Sequence, residues 1–337
     1  MRHNKLVIAA VAACIVLSAA TIDAQSWKRG LGKLKQGVEQ VTRQSKLNTT
    51  RQSGDVQVPE WHEERAQKRT SGLPSSVDTV VNHLRYRLRP DKRYAEFMGV
   101  DDYLFQETEV VEILGFVNFN GVRCSVTEIN SEALKGETAH TLVIPSSVKE
   151  IGPYAFAYMN NLKSVKVPSS VRTIKRGAFA GCTNLSSITI EPGVRLIEGT
   201  SFAGTGITSI TIPNTVKDLQ TYVFEDCKKL KTVKLPDGIK KIGECLFMGC
   251  ESLTSVVVPP TVTEIGERAY YDCKSLSSVT LPEGLVKICD GAFSDTSLTS
   301  LVIPSTVMEM GTWAFFCHKL AKVTLPARFN DPMVLVD

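Results

Sequence analysis

Between Arg123 and Phe329 the apolar positions of the chain return on a fixed period. The pattern is L-x-x-V-x-V-P-x-x-V-x-x-I-x-x-x-A-F-x-x-C-x-x-L, and its prolines are Pro145, Pro168, Pro213, Pro236, Pro259, Pro282, Pro304 and Pro326. Neighbouring prolines stand 22 or 23 residues apart except for one step of 45, where Ile190-Glu191-Pro192 fills the slot with Glu191 in place of proline. Each unit opens with alternating apolar residues such as Val165 and Val167, then stops at a proline that cannot donate to a sheet ladder, which predicts a short strand. The next apolar pair, Val171 and Ile174, predicts a second short extended piece. A single helical or 3₁₀ turn carrying Ala178-Phe179 is expected after it.

Eight units fill the pattern, and a truncated ninth runs from Leu320 to Phe329. A worn copy, Val126-Thr127-Glu128-Ile129 with Ala133-Leu134, precedes them. The sequence thus divides into an export segment (1–24), a basic linker of low apolar content (25–76), a capping region (77–122), about nine coils (123–329) and a tail (330–337). Within the capping region, Val77 to Tyr94 reads as helical, with Val80, Val81, Leu84, Leu88 and Tyr94 available to pack on the first coil. Val110 to Leu114 and Phe116 to Phe119, with the turn Asn120-Gly121, read as strands. The linker has too few large apolar residues to offset its ordering entropy and is expected to be disordered or a frail helix. Leu31, Leu34, Val38 and Val41, set among lysines and arginines, also allow a basic amphipathic helix on an anionic surface, though a solvated linker is the favoured reading.

One unit of about 23 residues cannot bury enough apolar surface to offset the entropy of ordering it, so each unit needs neighbours on both faces. The repeated positions are then layers of one continuous core, and the variable ones are surface. The L-x-x-V-x-V-P, I-G-x-x-A-F and C-x-x-L elements resemble the leucine-rich repeats of the BspA-like family, known from exported proteins of anaerobic bacteria and some protozoa. The resemblance implies an α/β fold: a right-handed leucine-rich-repeat solenoid with a parallel sheet on its concave side and short extended pieces and 3₁₀ or helical turns on the other. It also implies a role in adhesion or protein binding, without naming a ligand.

The overall formal charge of +4 conceals an asymmetry. Gln25 to Gly99 carries 15 Lys and Arg against 8 Asp and Glu, whereas Val100 to Asp337 carries 22 against 26. The basic excess therefore belongs to the front, not to the repeats, and no nucleic-acid partner is expected. Arg2 and Lys5 precede a twelve-residue apolar run that ends at Leu17, followed by the small-residue sites Ser18-Ala19-Ala20 and Ile22-Asp23-Ala24. This reads as an export signal cleaved near Ala20 or Ala24, too short at about 18 Å of helix to span a bilayer. Val11-Ala12-Ala13-Cys14 resembles a lipobox, which would leave lipid on Cys14, but the apolar Ile15-Val16-Leu17 argue against it. The expectation is an exported protein, secreted or on the outer surface, with no transmembrane segment.

Cys182, Cys227, Cys250 and Cys273 occupy one slot of the repeat, which Thr205 and Thr296 fill elsewhere and Cys317 approaches one residue early. A slot shared by Cys and Thr calls for a small residue that hydrogen-bonds to the turn, so a buried thiol ladder is expected. Coils about 5 Å apart would also permit disulfides among Cys227, Cys250 and Cys273. No C-x-x-C pair supports a zinc site, no cofactor is expected, and no nucleophile-elbow, zincin or phosphate-loop motif occurs, so no enzymatic activity is expected.

Solenoids commonly bind through the outward residues of their extended sheet. The candidate ligand face here comprises Ser164, Lys166, Ser187, Thr189, Ser209, Thr211, Thr232, Lys234, Ser278, Thr280 and Lys322, a polar surface with few aromatics. Tyr154, Tyr158, Tyr222, Tyr270, Tyr271, Trp313 and Phe316 fall near the turn edge and form a second candidate. The expected role is a binding scaffold for proteins or glycans on host or neighbouring cells. The alternative is an envelope spacer whose partner contacts lie in residues 25–122.

Overall fold

The structure, a computed structural model, describes residues 73–101 and 109–327. The export segment with Cys14, nearly all of the basic linker and the tail lie outside the described residues. Nine short strands, Thr141–Val143, Ser164–Val167, Ser187–Ile190, Ser209–Thr211, Thr232–Lys234, Ser255–Val257, Ser278–Thr280, Ser300–Val302 and Lys322–Thr324, each stop just before the proline slot. They form the first ladder of a parallel solenoid of about nine coils. The second ladder is built from two-residue strands: Glu150–Ile151, Thr173–Ile174, Leu196–Ile197, Asp218–Leu219, Lys241–Ile242, Glu264–Ile265, Lys287–Ile288 and Glu309–Met310. Pairing is parallel and keeps the repeat in register, Val165 opposite Ile188 and Ile174 opposite Ile197.

A third row of inter-coil bonds runs through the turn that carries the aromatic residue. The Phe156 N–H donates to the Ala178 carbonyl at 2.8 Å, Phe179 to Ser201 at 2.8 Å and Phe224 to Leu246 at 3.0 Å. The helical or 3₁₀ turn expected at this place is a chain of β-turns instead, and no α-helix is formed among the described residues. The residues two before and two after the aromatic one are left-handed: Gly177 (φ 63°) and Gly181 (φ 71°), Tyr222 (60°) and Asp226 (52°), Arg268 (50°) and Asp272 (58°). Such residues break the right-handed run a helix needs. They rotate alternate N–H groups outward to the next coil, as Gly181 does to Ala203 at 2.7 Å.

Inside, Val165, Val167, Val171, Ile174, Phe179, Cys182 and Leu185 are buried, and their equivalents in most coils join them in one core. Phe156, Phe179, Phe202, Phe224, Phe247, Tyr270, Phe293 and Phe315 form a single column of rings, with centroids 5.1 to 5.7 Å apart from one coil to the next. A coil spacing close to strand separation brings identical rings to stacking distance, and each supplies the other's contact surface.

Six strands lead into the repeats: β1 (Val77–Val81), β2 (Leu84–Arg89), β3 (Tyr94–Val100), β4 (Val110–Glu112), β5 (Phe116–Phe119) and β6 (Val122–Ile129). The helix expected over Val77 to Tyr94 is therefore an antiparallel pair. Asn82 and His83 are both left-handed, at φ 51° and 64°, as a two-residue hairpin turn requires. Leu84, Tyr86 and Leu88 are buried on one side of β2, a period of two that outweighs the helical spacing of Val80, Leu84 and Leu88. Val80, expected to pack inward, is exposed. Strand β3 pairs antiparallel with β2 and parallel with β6, which in turn pairs parallel with Glu150–Ile151. These strands thus prolong the second ladder, while β4 pairs with Thr141–Val143 and prolongs the first. Strands β4 and β6 with Ala133-Leu134 make the worn copy a genuine coil, and the Leu134 N–H donates to the Ala155 carbonyl where later coils use Phe. No helix among the described residues is long and apolar enough to cross a membrane.

Candidate functional site

Alternation along the first ladder turns the middle residue of each S-x-T or T-x-K triplet into the core and exposes the two that flank it. The outward side chains of successive coils then stand about 4.8 Å apart across the ladder and about 6.8 Å apart along each strand. Pairing in this ladder is not continuous. It breaks between the strands ending at Ile190 and beginning at Ser209, between Lys234 and Ser255, and between Thr280 and Ser300.

A groove of about 630 Å³ lies over the first break. Its walls are Ser187, Thr189, Ser209, Thr211, Thr232 and Lys234, its floor is apolar with Ile188, Ile190, Ile210 and Val233, and Pro192 and Pro213 bound one end. A second depression of about 310 Å³ shares Thr232, Val233 and Lys234 with it and continues past Ser255 and Val257 to Pro259 and Pro260. Six of the residues named from sequence are thus brought together in the main groove. Ser164, Lys166, Ser278, Thr280 and Lys322 lie outside its lining. The prolines and Asp237 were not anticipated as lining residues, although every proline was visible as the strand stop.

The electrostatics of the groove are uneven. Beside it, the Lys166 ammonium bonds the Glu191 carboxylate at 2.7 Å, and the Ser169 N–H donates to the same carboxylate at 2.9 Å, which together hold Glu191 below the usual carboxylate range. Asp237 accepts from the Asn214 amide at 2.8 Å, and its own N–H donates back to Asn214 at 3.1 Å, which ties two adjacent coils at the proline end. Among the described residues no carboxylate lines the main groove. Lys234, exposed at the junction of the two depressions, has no ion-pair partner among the described residues.

The turn-edge aromatics divide. Tyr270 is inside the aromatic column, whereas Tyr158, Trp313 and Phe316 are exposed, the last two in edge contact at 5.1 Å. The cysteine slot is a ladder of free thiols. Cys182 donates to the Phe156 carbonyl at 3.1 Å, Cys227 to Phe202 at 3.1 Å, Cys250 to Phe224 at 3.1 Å and Cys273 to Phe247 at 3.2 Å, each reaching one coil back. Thr205 keeps the bond within its own coil, to Phe202 at 2.8 Å. Among the described residues no group of three or more His, Cys, Asp or Glu is placed to hold a metal ion.

Stacked short coils with a parallel strand ladder, a turn column of aromatic residues and a polar outward face define a leucine-rich-repeat solenoid. The chain belongs to the BspA type leucine-rich repeat family, whose model matches residues 101–231 and 240–331 in six copies. A leucine-rich repeat protein from Bacteroides ovatus ATCC 8483 is 28% identical, with a TM-score of 0.65 over 74% of this chain and 67% of that one. The pneumococcal vaccine antigen PcpA is 16% identical, with a TM-score of 0.49 over 75% of this chain and 82% of that one. A leucine-rich cell surface protein from Faecalibacterium prausnitzii A2-165 is 16% identical, with a TM-score of 0.27 over 72% of this chain and 96% of that one. No curated protein matches the chain.

Proposed function

We propose that the chain is an exported binding scaffold, secreted or held at the cell surface, that engages protein or glycan ligands in adhesion. The observation that carries this reading is the groove over the first ladder, where six outward hydroxyl and ammonium side chains from three coils surround one open depression. Extended sheets of stacked repeats favour this use, because each coil adds one more row of contacts to a rigid surface. As the family resemblance implies, the first ladder would lie on the concave side of a right-handed solenoid, and the apolar run before Leu17 would direct export. The charged and hydroxyl side chains of the groove point to recognition of a polar ligand, not to chemistry at a reacting atom.

The test is a binding screen of the purified full-length chain against matrix proteins, whole cells and glycan arrays, repeated with Thr211→Trp. An indole at Thr211 would fill the middle of the groove. Saturable binding that the substitution abolishes supports the reading. Absence of saturable binding, or binding indifferent to Thr211→Trp, removes it.

A further inference from the structure

The first-ladder groove is asymmetric in charge in a way that narrows its ligand class. Three lysines within six residues, Lys229, Lys231 and Lys234, are exposed and make no ion pair among the described residues. Lys234 reaches both depressions. Among the outward strand residues beside the groove, the other lysine, Lys166, is neutralised by Glu191. The nearest acid in the joint lining, Asp237, lies toward the proline end and is engaged by Asn214. The main groove, with the unpaired Lys234 ammonium and no lining carboxylate among the described residues, focuses a positive potential on whatever enters it, while Asp237 is confined to the neighbouring depression.

The uncharged part of the lining narrows the class further. Ser187, Thr189, Ser209, Thr211 and Thr232 present hydroxyls that both donate and accept. Among the described residues no aromatic side chain lines the groove, so they give it neither the stacking surface that a neutral sugar ring would use nor the Trp, Tyr or Arg anchors of a tight protein interface. A repeating grid of hydroxyls suits a polymer that repeats its own hydroxyls.

We infer that the groove takes an acidic polysaccharide, with its hydroxyls bonded to the Ser and Thr grid and a carboxylate or sulfate seated on Lys234. This rests on the reading of the groove as the ligand site. A charge-assisted bond to the anion supplies both affinity and register, because a polymer shifted by one residue loses it. Lys229 and Lys231 add long-range attraction that salt screens.

Calorimetric titration of the full-length chain with polygalacturonate, heparin and dextran tests the inference. Saturable binding to one or both acidic polymers, weakened by added salt and absent for dextran, is expected. Polygalacturonate alone would identify carboxylate as the anion, and heparin alone would identify sulfate. Lys234→Ala is expected to weaken binding by about ten-fold or more, whereas Lys166→Ala changes it less than about two-fold. Unchanged urea midpoints would show that both variants fold. Equal binding to dextran, no binding to either acidic polymer, or undiminished binding by Lys234→Ala overturns the inference. If a protein or neutral glycan is captured and Thr211→Trp abolishes that capture, the acidic ligand class fails while the groove remains the site. Capture of any ligand unaffected by Thr211→Trp overturns both.

Discussion

Tyr270 stacks on Phe293 with ring centroids 5.1 Å apart and planes 6° apart, so a phenol stands where most coils of the column carry a phenyl ring. Its hydroxyl is buried and has no hydrogen-bond partner among the described residues, and burial, with smaller contributions from Cys273 and Cys250, drives its pKa well above the usual tyrosine value. An unsatisfied buried hydroxyl costs on the order of 1–3 kcal/mol. Tyr270→Phe is therefore expected to stabilise the protein by about that amount. Urea denaturation would measure it, and a lowered midpoint would contradict the arrangement.

Truncating the column has the opposite effect. Phe224 and Phe247 lie fully buried with planes 4° apart, and each touches a ring on both sides. Phe247→Ala removes two stacking contacts and leaves a cavity between coils, at a cost of about 3–5 kcal/mol. Because each coil is covered only by its neighbours, unfolding of this variant is expected to lose two-state character, with limited proteolysis cutting first near Phe247. A cooperative transition with an unchanged midpoint would refute the column as a source of stability.

The thiol ladder makes stability sensitive to alkali. Burial pushes Cys182 and Cys227 from an ordinary 9.0 up to about 12, and it also raises Cys250 and Cys273. The folded chain keeps these protons after the unfolded chain has lost them, so their contribution is complete below pH 9 and fades as pH rises toward about 12. Cys182→Ala and Cys227→Ala should each flatten the fall in stability between pH 8 and pH 10.5, whatever they do to its absolute value. In the native protein these thiols should also resist alkylation at pH 8 and react on addition of urea.

A carboxylate row crosses the junction between the leading strands and the coils. Glu96, Glu128 and Glu150 are direct neighbours on β3, β6 and the strand Glu150–Ile151. Burial raises the Glu128 pKa, and repulsion from Glu150 and Glu96 adds to it, against the opposing pull of Lys175 and Arg89. Lys175 is itself bonded to Glu150 at 2.6 Å, and Arg89 pairs with Glu96 at 3.5 Å. A folded pKa above the ordinary 4.5 means that stability is fullest below that pH and declines as pH rises through the folded value. Glu128→Gln should therefore be more stable than the parent at pH 7, with the gap closing at pH 4. A gap of equal size at both pH values would show that ionisation of Glu128 is not the cause.

Much of the coil was legible because its causes are local or strictly periodic. The alternation at Val165 and Val167 and the stop at Pro168 place a strand wherever they occur, and the shared Cys and Thr slot anticipated the thiol ladder. The apolar spacing at the turn fits a helix, yet Gly177, Gly181 and Gly249, with Asp226 and Asp272 in matching positions, are residues that tolerate left-handed backbone and carry the opposite signal. The leading hairpin is ambiguous in sequence because Val80, Leu84 and Leu88 fit a helical spacing while Leu84, Tyr86 and Leu88 fit a strand. Only the partner strands β3 and β6 choose between the two.

The sequence by itself determined the period, the strand stops and the stacking, since a unit too small to bury its own core must borrow surface from the next. Tertiary structure decided where the ladder opens into a groove and which lysine is left unpaired inside it. Those outcomes depend on how coils settle against one another across the break after Ile190, and on Lys166 meeting Glu191 while Lys234 meets no carboxylate among the described residues. Distances between residues a full coil apart are set by the packing of the stack, and no repeat motif encodes them.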